Sequence, residues 1–211
     1  MNFVGLFQAL DTSQSTNAKR DALIEFVRHA DVLESAIAVE ALTGRLEKKR
    51  LKPSLLKYTA NQAFIEAPWL FDECYATVGD LSETLAILFA NPQAKPQTND
   101  PILKQWIDRQ TALAGLKPEV LADALLAQLQ EFSRDEAFLF LKLSSGSFRV
   151  GVSKGLVRRS FRGSAGRNVD ARSCEVVIGQ HAEVLHRRHA PLDQLRLIRG
   201  SQPLLIHRRR Q

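Results

Sequence analysis

Residues 133–141 read Ser133-Arg134-Asp135-Glu136-Ala137-Phe138-Leu139-Phe140-Leu141, and they determine the fold class of this chain. Its serine stands three residues before a glutamate, a pattern in which the two side chains satisfy free backbone N–H groups at the start of a helix. Five apolar residues follow directly, so the stretch predicts a helix that enters a hydrophobic core. Such a helix needs partners on several sides.

Helical patterns on both sides of this stretch supply those partners. Apolar residues recur at helical spacing, and Gly44 follows one such run where a left-handed cap is expected. Pro53 and Pro68 stand where proline begins a helix, and Asp80-Leu81-Ser82-Glu83 forms another capping box. The other predicted helices cover residues 3–10, 22–27, 32–42, 102–113 and 118–132. The only candidate strand, residues 148–152, is short, and the predicted fold class is therefore all-α.

Composition and charge divide the chain into two regions. Three prolines in residues 91–101 predict a linker between two helical lobes, so residues 1–158 are assigned to one two-lobed helical domain. Residues 159–211 form a basic, Arg-rich tail, which we expect to be divergent, partly disordered or ordered only against DNA or a missing domain. From residue 154 onward there are 13 basic and 4 acidic residues, a net charge of +9. The 16 basic and 19 acidic residues before that point give −3.

The bend after the apolar helix carries the first functional signal. It reads Lys142-Leu143-Ser144-Ser145-Gly146-Ser147-Phe148-Arg149-Val150-Gly151-Val152-Ser153. Gly146 and Gly151 permit positive φ or a close backbone approach, and Arg149 adds a planar cation suited to phosphate. This combination predicts a grip on a nucleic-acid backbone that does not read base sequence. The alternative is a helix C-cap followed by an arginine without a binding role. After the bend, a helix capped by Ser153 is predicted at residues 152–161.

Five local patterns occur in a fixed order along most of the chain. They are Ser15-Thr16-Asn17-Ala18-Lys19, Leu42-Thr43-Gly44-Arg45, Trp69-Leu70-Phe71-Asp72-Glu73-Cys74-Tyr75, Val78-Gly79-Asp80-Leu81-Ser82-Glu83-Thr84 and the bend through Val157. Together they resemble the N-terminal DNA-binding domain of bacterial ATP-dependent DNA ligases. The resemblance implies a two-lobed helical body that binds nicked duplex across the minor groove in DNA repair, replication or recombination. It also implies that loops and helix N-termini, including residues 146–153, contact the sugar–phosphate backbone.

The predicted DNA contacts are basic, hydroxyl or glycine residues of these patterns and of the basic run after Gly44. Lys19 follows a predicted helix start at Thr16, where free N–H groups and the helix dipole favour an anion. The basic run after Gly44 either reaches DNA phosphates or is a solvated loop. The turn at Gly79 either presents backbone N–H groups to phosphate or only connects two helices. The predicted DNA-binding residues are Thr16, Lys19, Gly44, Arg45, Lys48, Lys49, Gly79, Ser145, Gly146, Arg149, Gly151, Ser153 and Lys154.

The catalytic signature of the ligases is missing from the sequence. These enzymes use a lysine in a Lys-x-Asp-Gly motif, whereas Lys19-Arg20-Asp21-Ala22 lacks the glycine and lies in an amphipathic helical pattern. We find no phosphate-binding loop, zinc spacing or nucleophile–base pair, and His181, His186 and His189 lack carboxylate or cysteine partners. No catalytic residue, metal site or cofactor is therefore predicted in this chain. ATP and Mg²⁺ are expected only for the missing catalytic domain.

The resemblance ends after about Arg159, where arginine replaces lysine and aromatic residues become rare. We expect a truncated or frame-disrupted ligase that lacks its catalytic core and is inactive alone. Alternatively, the tail is a genuine basic arm. Cys74 and Cys174 suggest neither a metal site nor a disulfide framework. Since neither a bilayer-spanning run nor a secretory start is evident, we expect a cytoplasmic, nucleoid-associated monomer.

The residues also allow two other classes of function. A helical scaffold or protein-interaction domain that has lost DNA binding is compatible with the slightly acidic residues 1–153. A sequence-specific regulator requires a recognition helix with several base-reading side chains, and none stands out.

Overall fold

Helices make up most of the described structure. The computed structural model describes residues 1–46, 51–95, 102–145, 148 and 150–163, and these contain ten helices and no strand. The helices are α1 (Phe3–Thr12), α2 (Thr16–His29), α3 (Val32–Thr43), α4 (Pro53–Ala63), α5 (Pro68–Val78), α6 (Leu81–Phe89), α7 (Ile102–Ala114), α8 (Pro118–Gln130), α9 (Arg134–Ser145) and α10 (Lys154–Gly163). The all-α prediction is confirmed, and residues 164–211 of the predicted tail lie outside the described ranges.

Local capping explains where several helices begin. At α9, a Glu136 carboxylate oxygen accepts from the Ser133 N–H at 3.1 Å and from its hydroxyl at 2.6 Å. At α6, Asp80 Oδ1 accepts from the Glu83 N–H at 3.0 Å. Gly44 ends α3 with a φ of 69°. Each of these features was predicted from the sequence, because a cap depends only on neighbouring residues.

A single cluster of buried apolar side chains joins the helices. It extends from Phe3 in α1 to Phe161 in α10, with Trp106, Phe132 and Phe140 among its largest members. Helix α4 packs on α8, α6 on α9 and α3 on α7, so helices before and after residues 91–101 share this core. The division into two lobes stays a prediction. Within the described ranges, no helix combines the length and apolar character needed to cross a membrane.

A buried carboxylate connects α3 to the start of α7. Glu34 is fully buried, and both of its carboxylate oxygens accept from the Leu103 N–H, at 2.9 and 3.1 Å. Leu103 is the second residue of α7, where backbone N–H groups have no partner within the helix. Glu34 thus caps a helix that begins far away in the sequence and fixes its position against α3.

Candidate nucleic-acid interface

Residues 142–154, here called the junction segment, are contacted by residues from several distant parts of the chain. The segment comprises the end of α9, the connection that follows and the first residue of α10. Three residues from distant parts of the chain form hydrogen bonds with it: Lys19 of α2, Leu51 before α4 and Asp80 before α6. Lys19 and Asp80 belong to two of the five patterns, and Leu51 belongs to the basic run after Gly44. The structure therefore brings these sequence-distant regions into contact with one segment.

Lys19 holds the backbone of the junction segment. Its Nζ donates to the carbonyl oxygen of Val150 at 2.7 Å and contacts that of Gly151 at 3.4 Å, and only 9% of the residue is exposed. Gly151 has a φ of 62°, in the region that favours glycine, which confirms the special backbone predicted there. The phosphate contact predicted for Lys19 stays a prediction, and its ammonium is engaged with two protein carbonyls.

Ser144 joins the basic run to the end of α9. Its hydroxyl accepts from the Leu51 N–H at 2.7 Å and donates to the Leu51 carbonyl at 3.1 Å. Both residues are buried, so one hydroxyl satisfies both backbone groups of Leu51. At the other end of the run, Arg45 is exposed and its N–H bonds to the Glu40 carbonyl at 2.8 Å. Lys48 and Lys49 lie outside the described residues.

The turn at Gly79 has a different character from the rest of the interface. Gly79 has a φ of 78°, and its N–H donates to the Tyr75 carbonyl at 2.9 Å, so this donor already has a partner. The Asp80 carboxylate beside it binds the Lys142 ammonium. Both Asp80 and Lys142 line a cavity of about 380 Å³, whose other lining residues are Phe7, Asp11, Glu83, Phe138 and Phe148. Three carboxylates against one ammonium make this side unfavourable for phosphate.

The ion pair of Asp80 and Lys142 shifts the titration of the carboxyl. Partial burial alone raises the pKa of Asp80, but the hydrogen bonds from Lys142 and from the Glu83 N–H, together with the Lys142 charge, outweigh it. The net pKa therefore lies below its ordinary value. Because the folded-state pKa is lower than the unfolded one, the stabilisation is fully present above the unfolded pKa and is lost as pH falls through the folded one.

We expect Asp80→Asn to lower the free energy of unfolding by about 1–2 kcal/mol at pH 7, since the charge-assisted bond to Lys142 is lost. Asparagine is itself a good N-cap, so the bond to the Glu83 N–H can persist. The difference from the wild type should shrink below about pH 4, where the unfolded carboxyl is protonated. Urea denaturation at several pH values measures this. The exposed Asp123→Asn is the control, and a difference that stays constant with pH would contradict the assignment.

Positive charge is concentrated on α10. The side chains of Lys154, Arg158 and Arg159 are exposed, while Leu156 and Val157 are buried against the core. Ser153 caps the helix, and its hydroxyl accepts from the Leu156 N–H at 3.1 Å. Helix α10 packs against α2, whose N-cap Ser15 accepts from the Ala18 N–H and whose first residue, Thr16, is exposed. The side chain of Ser145, together with Gly146 and Arg149, lies outside the described residues.

Phe148 anchors the middle of the junction segment, a role that the sequence analysis missed. Its ring lies 5.8 Å, centroid to centroid, from those of both Phe3 and Phe7 in α1, in edge-to-face arrangements. Such pairs stabilise beyond the area they bury. A single aromatic residue within a stretch rich in glycine and serine was the available signal.

No protein-family model matches the chain, and neither a curated protein nor a solved structure gives a match. The resemblance to the DNA-binding domain of DNA ligases therefore rests on the five sequence patterns. Function must be inferred from the junction segment and from the charge on α10.

The described residues include one cysteine, Cys74, and one histidine, His29. No three His, Cys, Asp or Glu side chains gather there as metal ligands. His181, His186, His189 and Cys174 lie outside it. Cys74 is a half-buried free thiol on α5 and lines an apolar groove with residues of α5 and α6.

Proposed function

We propose that this chain is a DNA-binding module of the ATP-dependent DNA ligase type, which holds nicked duplex DNA through its sugar–phosphate backbone. The observation that carries the proposal is the convergence of Lys19, Leu51 and Asp80 on the junction segment. Lys19 and Asp80 belong to two of the five patterns that resemble the ligase domain, and Leu51 lies in the basic run that follows a third. A shared binding surface requires such patterns to meet in space, although they are far apart in sequence.

The chemistry of α10 supports an anionic partner. The N-terminus of a helix carries partial positive charge and free N–H groups, and Lys154, Arg158 and Arg159 add full charges on its exposed side. Such contacts neutralise phosphates and release counterions, so the affinity should fall steeply with salt concentration and vary little with base sequence. Among the predicted contacts, Ser145 ends α9, while Gly146, Arg149 and Ser153 stand between α9 and α10 in the sequence.

The charge distribution also favours one side of the junction segment. Residues 1–153 are slightly acidic overall, so attraction for DNA must be local. The cavity that contains Asp11, Asp80 and Glu83 would repel phosphates, whereas α10 and the start of α2 would not. The proposed DNA path therefore follows Thr16, the basic run after Gly44 and α10. The turn at Gly79 has the weakest support among the predicted DNA contacts, because it lies beside the acidic cavity.

The proposed role is to hold DNA rather than to join it. The chain contains no Lys-x-Asp-Gly motif, so it lacks the lysine on which the ligase family forms its adenylate. With ATP, Mg²⁺ and a nicked duplex, we expect no sealed product from this chain. Sealing by the purified protein would overturn this part of the proposal.

Neutralising α10 should weaken DNA binding and reduce its salt dependence. Fluorescence anisotropy with a labelled nicked duplex would compare the wild type with Lys154→Gln/Arg158→Gln over a salt series. For each phosphate contact removed, the slope of log K against log salt should fall by about 0.9. Lys117→Gln is the matched control, because Lys117 is also an exposed lysine at a helix start and lies on the connection between α7 and α8.

A wild-type protein that leaves the anisotropy of nicked duplex unchanged at low salt would contradict the proposed function. Equal losses in the α10 variant and in Lys117→Gln would contradict the assignment to α10. Random-sequence competitor DNA should displace the probe as well as an identical unlabelled duplex does, since only the backbone is contacted.

The alternative, a protein-interaction domain, is favoured by one exposed apolar region. Ile65 and Trp69 are 68% and 65% exposed, which is unusual for large apolar side chains. Glu73, one turn after Trp69, lines an apolar groove of about 240 Å³ together with Ile87. Trp69→Ala should leave DNA affinity unchanged if the proposed function is correct, because this region does not contact the junction segment through any of the bonds described above.

A further inference from the structure

We propose that Lys19 acts as a positioning residue for DNA binding, because its ammonium fixes the backbone from which α10 begins. This inference rests on the proposed function, which it deepens. It assigns Lys19 an indirect role in place of the direct phosphate contact predicted from the sequence.

The environment of Lys19 fits an internal role. Its Nζ donates to the Val150 carbonyl at 2.7 Å and lies 3.4 Å from the Gly151 carbonyl oxygen, with the residue 9% exposed. A buried ammonium is costly unless it is hydrogen-bonded, and the two carbonyls provide that compensation. A contact with DNA phosphate requires an ammonium that reaches solvent, as those of exposed lysines do.

A short path connects this contact to the charges of α10. Gly151 turns the chain with positive φ, and Ser153 follows two residues later as the N-cap of α10. The Ser153 hydroxyl accepts from the Leu156 N–H, and its carbonyl accepts from the Val157 N–H at 3.1 Å. The first turn of α10 is therefore held by the Ser153 hydrogen bonds at its start and by the burial of Leu156 and Val157 in the core. The position of that turn sets where the side chains of Lys154 and Arg158 lie on the surface.

Gly151 fits the lysine closely. A Cβ atom added to Gly151 would lie 2.9 Å from the Lys19 Nζ, a distance that real Cβ contacts do not show. Alanine there would strain the backbone and displace the ammonium as well. Gly79 has a similar φ of 78° but no atom within 4 Å of its added Cβ, so alanine there would cause backbone strain alone. The chain thus provides a matched pair of glycines.

The first experiment measures amide hydrogen exchange in the DNA-free protein. In Lys19→Met, the amides of Leu156 and Val157 should exchange roughly tenfold faster, as expected when buried carbonyls lose a hydrogen-bond partner.

DNA affinity should fall in the same variant. In the Lys154→Gln/Arg158→Gln background, Lys19→Met should add little further loss, because the charges that Lys19 orients are already gone. Unchanged exchange together with an additive loss of affinity would show a direct phosphate contact and would overturn the positioning role.

A second experiment tests the contact through Gly151. Gly151→Ala should destabilise the wild type more than it destabilises Lys19→Met, because the methionine variant has no ammonium to displace. Gly79→Ala should destabilise both backgrounds equally. An equal effect of Gly151→Ala in both would overturn the inference. If Lys19→Met does not fold, Lys19→Gln, which keeps a shorter side-chain donor, replaces it in these measurements, with smaller changes expected in the same direction.

The two proposals fail in different ways. If the wild type does not bind nicked duplex, both the proposed function and the positioning role are wrong, while faster exchange in Lys19→Met still establishes the structural contact. If the wild type binds but exchange at Leu156 and Val157 is unchanged in the Lys19 variant, the positioning role is wrong and the proposed function stands.

Discussion

Replacing Glu34 by alanine should lower the free energy of unfolding by about 3 kcal/mol, one of the two largest losses that we expect for a single side chain. The Glu34 carboxylate is fully buried and accepts from the Leu103 N–H through both oxygens. Alanine leaves that buried N–H, at the start of α7, without this acceptor. Glu34→Gln keeps one oxygen acceptor, so its loss should be smaller.

Urea denaturation followed by circular dichroism measures these losses. Glu73→Ala is the control, because Glu73 is an exposed glutamate within α5 and its replacement should change stability by less than about 0.5 kcal/mol. A Glu34→Ala protein as stable as the control would show that the carboxylate does not hold α7.

Ser144→Ala should destabilise the protein by about 2–4 kcal/mol, since two buried backbone groups lose their partner at once. The Ser144 hydroxyl both accepts from the Leu51 N–H and donates to the Leu51 carbonyl. Alanine is almost the same size, so the loss of packing is small and the effect reports the two hydrogen bonds. It also frees the end of the basic run, so DNA affinity should fall with stability.

The matched control is Ser54→Ala, an exposed serine in the first turn of α4. It should change the unfolding midpoint little, because it removes no buried hydrogen bond. Water entering to replace the hydroxyl would reduce the effect of Ser144→Ala. A loss below about 0.5 kcal/mol would contradict the role assigned to this pair.

The helices and their caps were predictable because they depend on residues close together in the sequence. Asp80 caps the N–H of Glu83, three residues away, and Ser133 pairs with Glu136 in the same way. Gly44 and its left-handed φ follow from the apolar run that it ends. Such features need no knowledge of tertiary packing.

The long-range polar contacts were not predictable for the opposite reason. Asp31 and Glu34 have the spacing of a capping box, and Asp31 does accept from the Glu34 N–H at 2.7 Å. The Glu34 carboxylate, however, reaches Leu103 on another helix. Lys19 likewise reads as a solvent-facing cation near a helix start, yet its ammonium lies against Val150. A partner across the core is determined by how helices pack, which local spacing does not encode.

Binding at the candidate interface stays a prediction, but part of its geometry can be compared with the sequence. The structure brings Lys19 and Asp80, which belong to two of the five sequence patterns, to the junction segment. The sequence did not indicate that the side near Asp80 is acidic, because Asp11 and Asp80 are far apart in sequence and meet only at the cavity. Net charge along the chain therefore does not show where charges of one sign gather on the folded surface.

The contacts of the junction segment also have a consequence for how the protein folds. Its hydrogen bonds to Lys19, Leu51 and Asp80 span 131, 93 and 62 residues. Closing such long loops has a high entropic cost, which the burial of apolar side chains in the core offsets. These bonds therefore form only when the core is nearly complete. During synthesis, α2 must wait for residue 151 to emerge before its lysine finds its acceptors. A segment held in this way is ordered only in the finished fold, and an incomplete chain would have the helices without these three contacts.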